Sequence, residues 1–184
     1  MELRIIGGVY RGTKLVLPDS QQFRPTKNRV REAITSSLLQ DIPNASVLEL
    51  CAGSAIMSLE LLSRGAEKAT AVELEKKRGT LFFQALKQPL LKEKLTWITA
   101  DVATFLSSDT SEYDIIFFDP PYYTNELTDL LPQALTLLHP HGVLLFESAT
   151  DDAYVAQVFS LLEGISIKEK RYGKSYIRTI RKEN

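Results

Sequence analysis

The chain has 184 residues, 44% of them hydrophobic and 24% charged, which suits one packed domain with at most a small appendage and argues against disorder. One cysteine and two histidines exclude an internal disulfide framework and a zinc cluster, and no apolar run reaches the roughly 18 residues that span a bilayer. The net charge of −1 divides unevenly, with +5 in residues 1–31, +5 in residues 164–184 and −11 between them, so a surface that meets a polyanion is suggested beside the plainer reading of solvated ends.

Two short β-rich runs, LRIIGG and TKLVL, open the chain. The prolines and polar residues of PDSQQFRPT separate them from a helical pattern that runs to about Leu39, with Thr26 as its candidate N-cap. From Ser46 the rhythm becomes strand, turn, helix: SVLEL then AIMSLELLSRG, KATAVEL then EKKRGTLFFQALKQ, KLTWIT then DVATFL. YDIIFF, NELTDLLPQALTLL and GVLLFES continue it, and the two alternating runs around YGKS predict a closing hairpin. Such alternation predicts an α/β fold with a parallel sheet covered by helices on both faces.

In an open parallel sheet, ligands sit outside the carboxyl ends of the strands, where the strand order reverses. Four strand ends here carry polar or small residues: LELCAGSA, VELE, TAD and FFDPPYY. In the first, Ala52, Gly53 and Ser54 let the backbone approach a ligand closely. About 20 residues beyond Gly53, Glu73 ends the next strand, where nucleotide-binding folds place a carboxylate that accepts both ribose hydroxyls. Its alternative role is a carboxylate stabilised at a helix N-terminus. AGSAIM lacks the glycines of a dinucleotide loop, and no P-loop lysine cradles a phosphate. An adenosine cofactor without phosphates fits, which points to S-adenosylmethionine. Asp101 can accept from the adenine amine, cap the VATFL helix, or do both. The candidate cofactor residues are therefore Glu49, Ala52, Gly53, Ser54, Glu73, Leu74, Asp101, Val102 and Asp119.

FFDPPYYT ends its strand in an unusual way. Methylating an exocyclic base amine explains the composition. The amine donates its lone pair into the ring and is a poor nucleophile. A fixed carboxylate and a backbone carbonyl that accept its two N–H bonds would draw it towards tetrahedral geometry. Asp119 and the Pro120 carbonyl can be those acceptors, and Pro120 and Pro121 stiffen them. Tyr122 offers a face for a flipped base, a contact worth roughly 1–3 kcal/mol. The plainer alternative is a Pro-Pro strand terminator followed by core tyrosines, and Tyr123 is expected to pack or face solvent. Direct transfer is expected, with no metal and no covalent protein intermediate.

The motifs RIIGGVYRGTKL, RPTKNRVREA, LELCAGSA with LELLSRGA, VELE, DPPY and LLFES, spread over nearly the whole chain, resemble the RsmD family, which methylates N2 of a guanine in 16S ribosomal RNA. The resemblance implies a Rossmann-like S-adenosylmethionine-dependent methyltransferase fold with a mostly parallel seven-stranded sheet and an antiparallel closing hairpin. It also implies an N-terminal RNA-binding extension of hairpin plus helix over residues 1–40, a catalytic domain over residues 41–184, and guanine 966 as the family's target. Arg4, Arg11, Arg24, Lys27 and Arg29 become the candidate RNA contacts. A cytoplasmic monomer acting on 16S ribosomal RNA within a small ribosomal subunit, away from membranes, is the expectation, and MELRIIGG does not resemble a signal peptide. The chain departs from the family's DxFAGSG at Cys51, read as a small buried residue, and at Ala55, whose Cβ bears on cofactor binding. Its helix after VE reads Ala85-Leu86 where Asn-Leu is usual. DPPY also occurs in adenine-N6 enzymes, so adenine methylation and a methyltransferase-like RNA-binding module without catalysis remain the alternatives.

Overall fold

The computed structural model describes residues 1–18 and 25–183. Strands β1 (Glu2–Arg4) and β2 (Lys14–Val16) pair antiparallel, with Leu3 opposite Leu15, and helix α1 (Asn28–Ser37) follows. Next come β3 (Ser46–Leu50), α2 (Ile56–Ser63), β4 (Lys68–Glu73), α3 (Lys76–Ala85), α4 (Pro89–Lys94), β5 (Leu95–Thr99) and α5 (Val102–Ser108). The chain ends with β6 (Tyr113–Phe118), α6 (Asn125–Thr128), α7 (Leu131–Thr136), β7 (Leu138–Ala149), α8 (Ala153–Ser160), β8 (Ile165–Tyr172) and β9 (Ser175–Lys182).

Among the described residues, seven strands form one sheet in the order β5-β4-β3-β6-β7-β9-β8. The first five are parallel, and β9 runs antiparallel to both β7 and β8. The central strands read as continuous apolar runs because both faces are covered. Along β6, Ile115 and Phe117 join the apolar cluster that contains Ile34, Leu59 and Phe82, whereas Ile116 and Phe118 join the one that contains Phe105, Leu131 and Phe159. After β5 the chain returns to the other side of β3, so β3 and β6 flank the point where strand order reverses, with Leu50 paired to Phe118. The expected Rossmann-like layering and closing hairpin are present, and Gly173 at φ +64 makes the hairpin turn.

The N-terminal strands share the first cluster through Leu3, Ile5, Leu15 and Leu17. Their connecting loop docks on the end of α2: Val9 N–H donates to the Ser63 carbonyl at 2.7 Å and Tyr10 N–H to Ser63 Oγ at 2.9 Å. A Cβ on Gly8 would stand 1.9 Å from the Ser63 carbonyl oxygen, which is why this approach requires glycine. Beneath the loop, Arg31 is fully buried, its Nε 3.7 Å from Glu60 Oε1, and Glu60 also accepts from Ile6 N–H at 2.9 Å and pairs with Arg64. Burial pushes the Arg31 guanidinium pKa down, and the Glu60 charge opposes that shift. One of the seven N-terminal cations is thereby withdrawn from any polyanion.

Three local expectations are corrected, and PLLKEK, to which the sequence pattern assigns no element, forms a helix. Helix α1 starts at Asn28, and the Lys27 carbonyl, rather than a Thr26 cap, receives the N–H groups of Val30 and Arg31. NELTDLLPQALTLL breaks into α6 and α7, because Pro132 lacks an N–H and belongs in the first turn of a new helix. The PLLKEK stretch forms α4 with Pro89 in its first turn. Strand β7 begins at Leu138, and the register jump between Tyr113↔Leu138 and Ile115↔Val143 lets the HPHG stretch bulge out. Among the described residues no helix is long and apolar enough to cross a membrane.

Candidate active site

Strand β3 passes into α2 through alternating left-handed residues, Cys51 at φ 58, Gly53 at φ 52 and Ala55 at φ 49. For Ala55, fully buried, that conformation costs about 1–2 kcal/mol that a glycine would not incur. A Cβ on Gly53 would meet only the Cys51 carbonyl oxygen, at 3.9 Å, among the described residues, so the surface there is open to a ligand. Below the loop, Glu49 is buried and its Oε2 accepts from Ser58 N–H at 2.7 Å and Ser58 Oγ at 2.5 Å. Burial raises the Glu49 carboxyl to about 7 against the opposing Ser58 bonds, and the Glu73 charge adds to the rise.

Glu73, at the end of β4, holds the loop in place. Its Oε2 accepts from Gly53 N–H at 2.8 Å and its Oε1 from Glu75 N–H at 3.0 Å. Arg78 Nη1 lies 3.2 Å from Glu73 Oε2, and its Nε lies 3.0 Å from Glu75 Oε2. The role at the start of α3 and the position on the cavity wall thus coexist. Asp101 caps α5, its Oδ1 accepting from Ala103 N–H at 2.9 Å and Thr104 N–H at 3.2 Å, and it too borders the cavity.

At the end of β6, Asp119 N–H donates to the Leu50 carbonyl at 3.4 Å and ties the two switch-point strands together. The half-buried Tyr122 donates its hydroxyl to Glu147 Oε1 at 3.0 Å and lies 2.5 Å from Ser175 Oγ. Burial pushes the Tyr122 hydroxyl up to about 12, opposed by the Ser175 bond and assisted by the charges of Glu147 and Asp119, so it remains protonated at neutral pH. Tyr123 is exposed, as one of the two expectations had it, and donates to Asp151 Oδ1 at 2.6 Å. Cys51 is half-buried rather than buried, and burial beside Asp119, Glu73 and Asp101 pushes its thiol pKa up, which disfavours a reactive thiolate.

One cavity of about 1430 Å³ is lined by Glu49, Ala52, Gly53, Ser54, Glu73, Leu74, Asp101, Val102, Asp119, Pro120, Pro121 and Tyr122, so the sequence-selected cofactor and catalytic residues all meet there. That volume exceeds the ~300–1,000 Å³ of single-ligand pockets and leaves room for a nucleoside cofactor and a base together. Its inner wall is acidic, with Glu49, Glu73, Asp101, Asp119 and Glu147, and suits a cationic adenosine derivative better than a phosphate-bearing one.

The candidate RNA contacts are not brought together. Lys27 lines the cavity, Arg29 is exposed on α1, and Arg4 pairs with Glu2 at 2.7 Å. Exposed Arg11 belongs to the loop docked on Ser63, the far end of α2, roughly 12 Å from the helix start beside the cavity. Arg24 lies outside the described residues. Sequence reasoning missed Arg78, Glu147, Arg171, Lys174 and Ser175, all of which line the cavity. The basic C-terminal segment pointed to the hairpin, but only the pairing of Ala149 with Ser175 places its turn at the carboxyl end of the sheet.

Sheet order, the left-handed loop after β3 and the carboxylates at the ends of β4 and β6 define the Rossmann-like methyltransferase class. Residues 3–181 match the family model described as Conserved hypothetical protein 95, and the chain belongs to that family. It is 35% identical over 154 residues to Ribosomal RNA small subunit methyltransferase D of Escherichia coli strain K12, covering 80% of this chain and 72% of that relative. The solved structure described as "Putative methyltransferase yhhF from Escherichia coli" matches with a TM-score of 0.81 at 28% identity, over 100% of this chain and 99% of that one. A partial likeness, 31% over 101 residues, links 50% of the chain to 41% of the tRNA1(Val) (adenine(37)-N6)-methyltransferase of Shigella boydii.

Because folding raises the Glu49 pKa, Glu49 favours the folded state below its unfolded value of 4.5, and that contribution is lost as pH rises through about 7. Glu49→Gln removes the buried charge and keeps an acceptor for Ser58. Urea unfolding should show the variant on the order of 2 kcal/mol more stable than wild type at about pH 8.5 and nearly equal to it at about pH 5. An equal shift at both pH values would contradict a charge origin.

Proposed function

We propose that the chain methylates the exocyclic N2 amine of a guanine in 16S ribosomal RNA, with S-adenosylmethionine as donor. The observation that carries this reading is the common cavity of Asp119, Glu73 and Gly53 at the point where strand order reverses. The likeness to a protein named Ribosomal RNA small subunit methyltransferase D supports it.

S-adenosylmethionine, when bound, supplies an electrophilic methyl group on a sulfonium. The chain's own residues do the rest. Glu73 accepts from the ribose, Asp101 accepts from the adenine amine, and Leu74 and Val102 offer apolar contacts beside the open backbone at Gly53. Asp119 and the Pro120 carbonyl accept the two N–H bonds of the target amine and free its lone pair from the ring. The Asp119 carboxylate takes the proton that nitrogen loses as its bond to carbon forms, and passes it to water. Tyr122, held by Glu147 and Ser175, stacks on the extruded base and offsets part of the few kcal/mol that extrusion costs.

Lys27 before α1, Arg171 near the end of β8 and Lys174 in the β8–β9 turn, all bordering the cavity, supply cations for the flanking phosphates. Arg4, Arg11 and Arg29, on the basic extension of residues 1–40, contact RNA further from the target. A second reading, adenine-N6 methylation, draws on the partial likeness to the Shigella boydii enzyme and on a clamp that fits either amine.

Incubating small-subunit particles and naked 16S RNA with radiolabelled donor, then digesting to nucleosides, tests the substrate. Label on guanine N2 is the expected result, and label on adenine N6 would replace this reading with the second. Reversing both rim charges, Arg171→Glu with Lys174→Glu, should weaken RNA binding and lower the slope of log affinity against log salt by roughly 1.5. An unchanged slope would move the phosphate grip elsewhere.

A further inference from the structure

The clamp at Asp119 does not by itself distinguish guanine from adenine, since both bases carry an exocyclic amine. Beside it on the cavity wall stands a second carboxylate, Glu147. Strands β6 and β7 run parallel and their register ends with Phe118 opposite Phe146, so Asp119 leaves β6 next to the position that Glu147 takes on β7, adjacent strands lying about 4.8 Å apart. Phe118 and Phe146 both enter the cluster containing Phe105 and Phe159, so the strand alternation sends the following pair to the opposite face, and both carboxylates line the cavity.

Glu147 is 7% exposed, a burial that a carboxylate tolerates only when donors reach it. One donor is the Tyr122 hydroxyl at 3.0 Å. A carboxylate accepts at about four positions, and the Tyr122 bond also fixes where Glu147 points. Tyr122 is the proposed stacking platform, so a base lying on it would present its edge to this carboxylate.

We infer that Glu147 is a specificity-determining residue that reads the edge of the target base, accepting the guanine N1–H beside the amine held by Asp119. The inference rests on the guanine reading above. Guanine places N1–H and its N2 amine next to each other, a row of donors that matches two acceptor-only side chains. Adenine places an unprotonated N1 beside its amine, so its lone pair would face the Glu147 carboxylate, acceptor against acceptor.

The direct probe is 2-aminopurine, which keeps the amine at C2 but has no proton on N1. Small-subunit particles reconstituted with RNA ligated to carry guanine or 2-aminopurine at the target position provide the two substrates. Wild-type protein should show a kcat/KM at least about 100-fold lower for 2-aminopurine than for guanine. Glu147→Gln keeps an acceptor for Tyr122 and can turn an amide N–H towards N1. It should bring the two substrates within about tenfold of each other. Equal use of guanine and 2-aminopurine by the wild type, or an unaltered ratio in Glu147→Gln, would overturn the role of Glu147 and leave the guanine reading standing. Wild-type protein that methylates neither substrate would overturn the guanine reading itself.

Discussion

The chemistry available in the cavity depends on Asp119 staying where β6 leaves it. A residue before proline is confined to extended backbone, and Pro120 and Pro121 then fix two successive φ angles. The bond from Asp119 N–H to the Leu50 carbonyl anchors that stiff end to β3. Both strands are buried on both faces, so the carboxylate is held by the rigid centre of the sheet rather than by a loop. An amine clamp needs this, because misplacement by about 1 Å can cost on the order of a hundredfold in rate.

Concentrating carboxylates around one cavity carries an electrostatic cost that the fold meets in different ways. Burial raises the Glu49 carboxyl to about 7, Glu73 shares its charge with Arg78 and two backbone N–H groups, and Glu147 takes a bond from Tyr122. The cations Lys27, Arg78, Arg171 and Lys174 border the same cavity, and Arg78 pairs with Glu73. The N-terminal hairpin docks on α2 through Ser63, while Arg31 of α1 pairs with Glu60 of α2 and donates to the Arg4 carbonyl, so hairpin, α1 and α2 pack as one unit. A buried ion pair of this kind is weak evidence of added stability, because desolvation offsets its attraction.

The layering and the position of the site were legible in the sequence because they follow from local signals. Apolar runs followed by small or acidic residues mark the ends of β3, β4 and β6, and chain order alone implies a parallel sheet whose ends share one side. The contents of the far wall were not legible. Glu147 sits in an apolar run that reads as plain core, and its exposure to the cavity depends on register with Asp119 across two strands. Arg171 and Lys174 reach the cavity only because β9 doubles back along β7. Arg31 looks like its cationic neighbours until Glu60 is seen beneath it, and Ala55 gives no sign of the left-handed conformation that a glycine would have announced.

The most direct measurement of the clamp is the single-turnover rate of methyl transfer by Asp119→Ala, set beside its donor affinity in the same buffer. A fall in rate of about 1,000-fold or more, with donor affinity within about threefold of wild type, is expected of a group that acts on the amine alone. Transfer at close to the wild-type rate would show that the amine is activated by something other than Asp119.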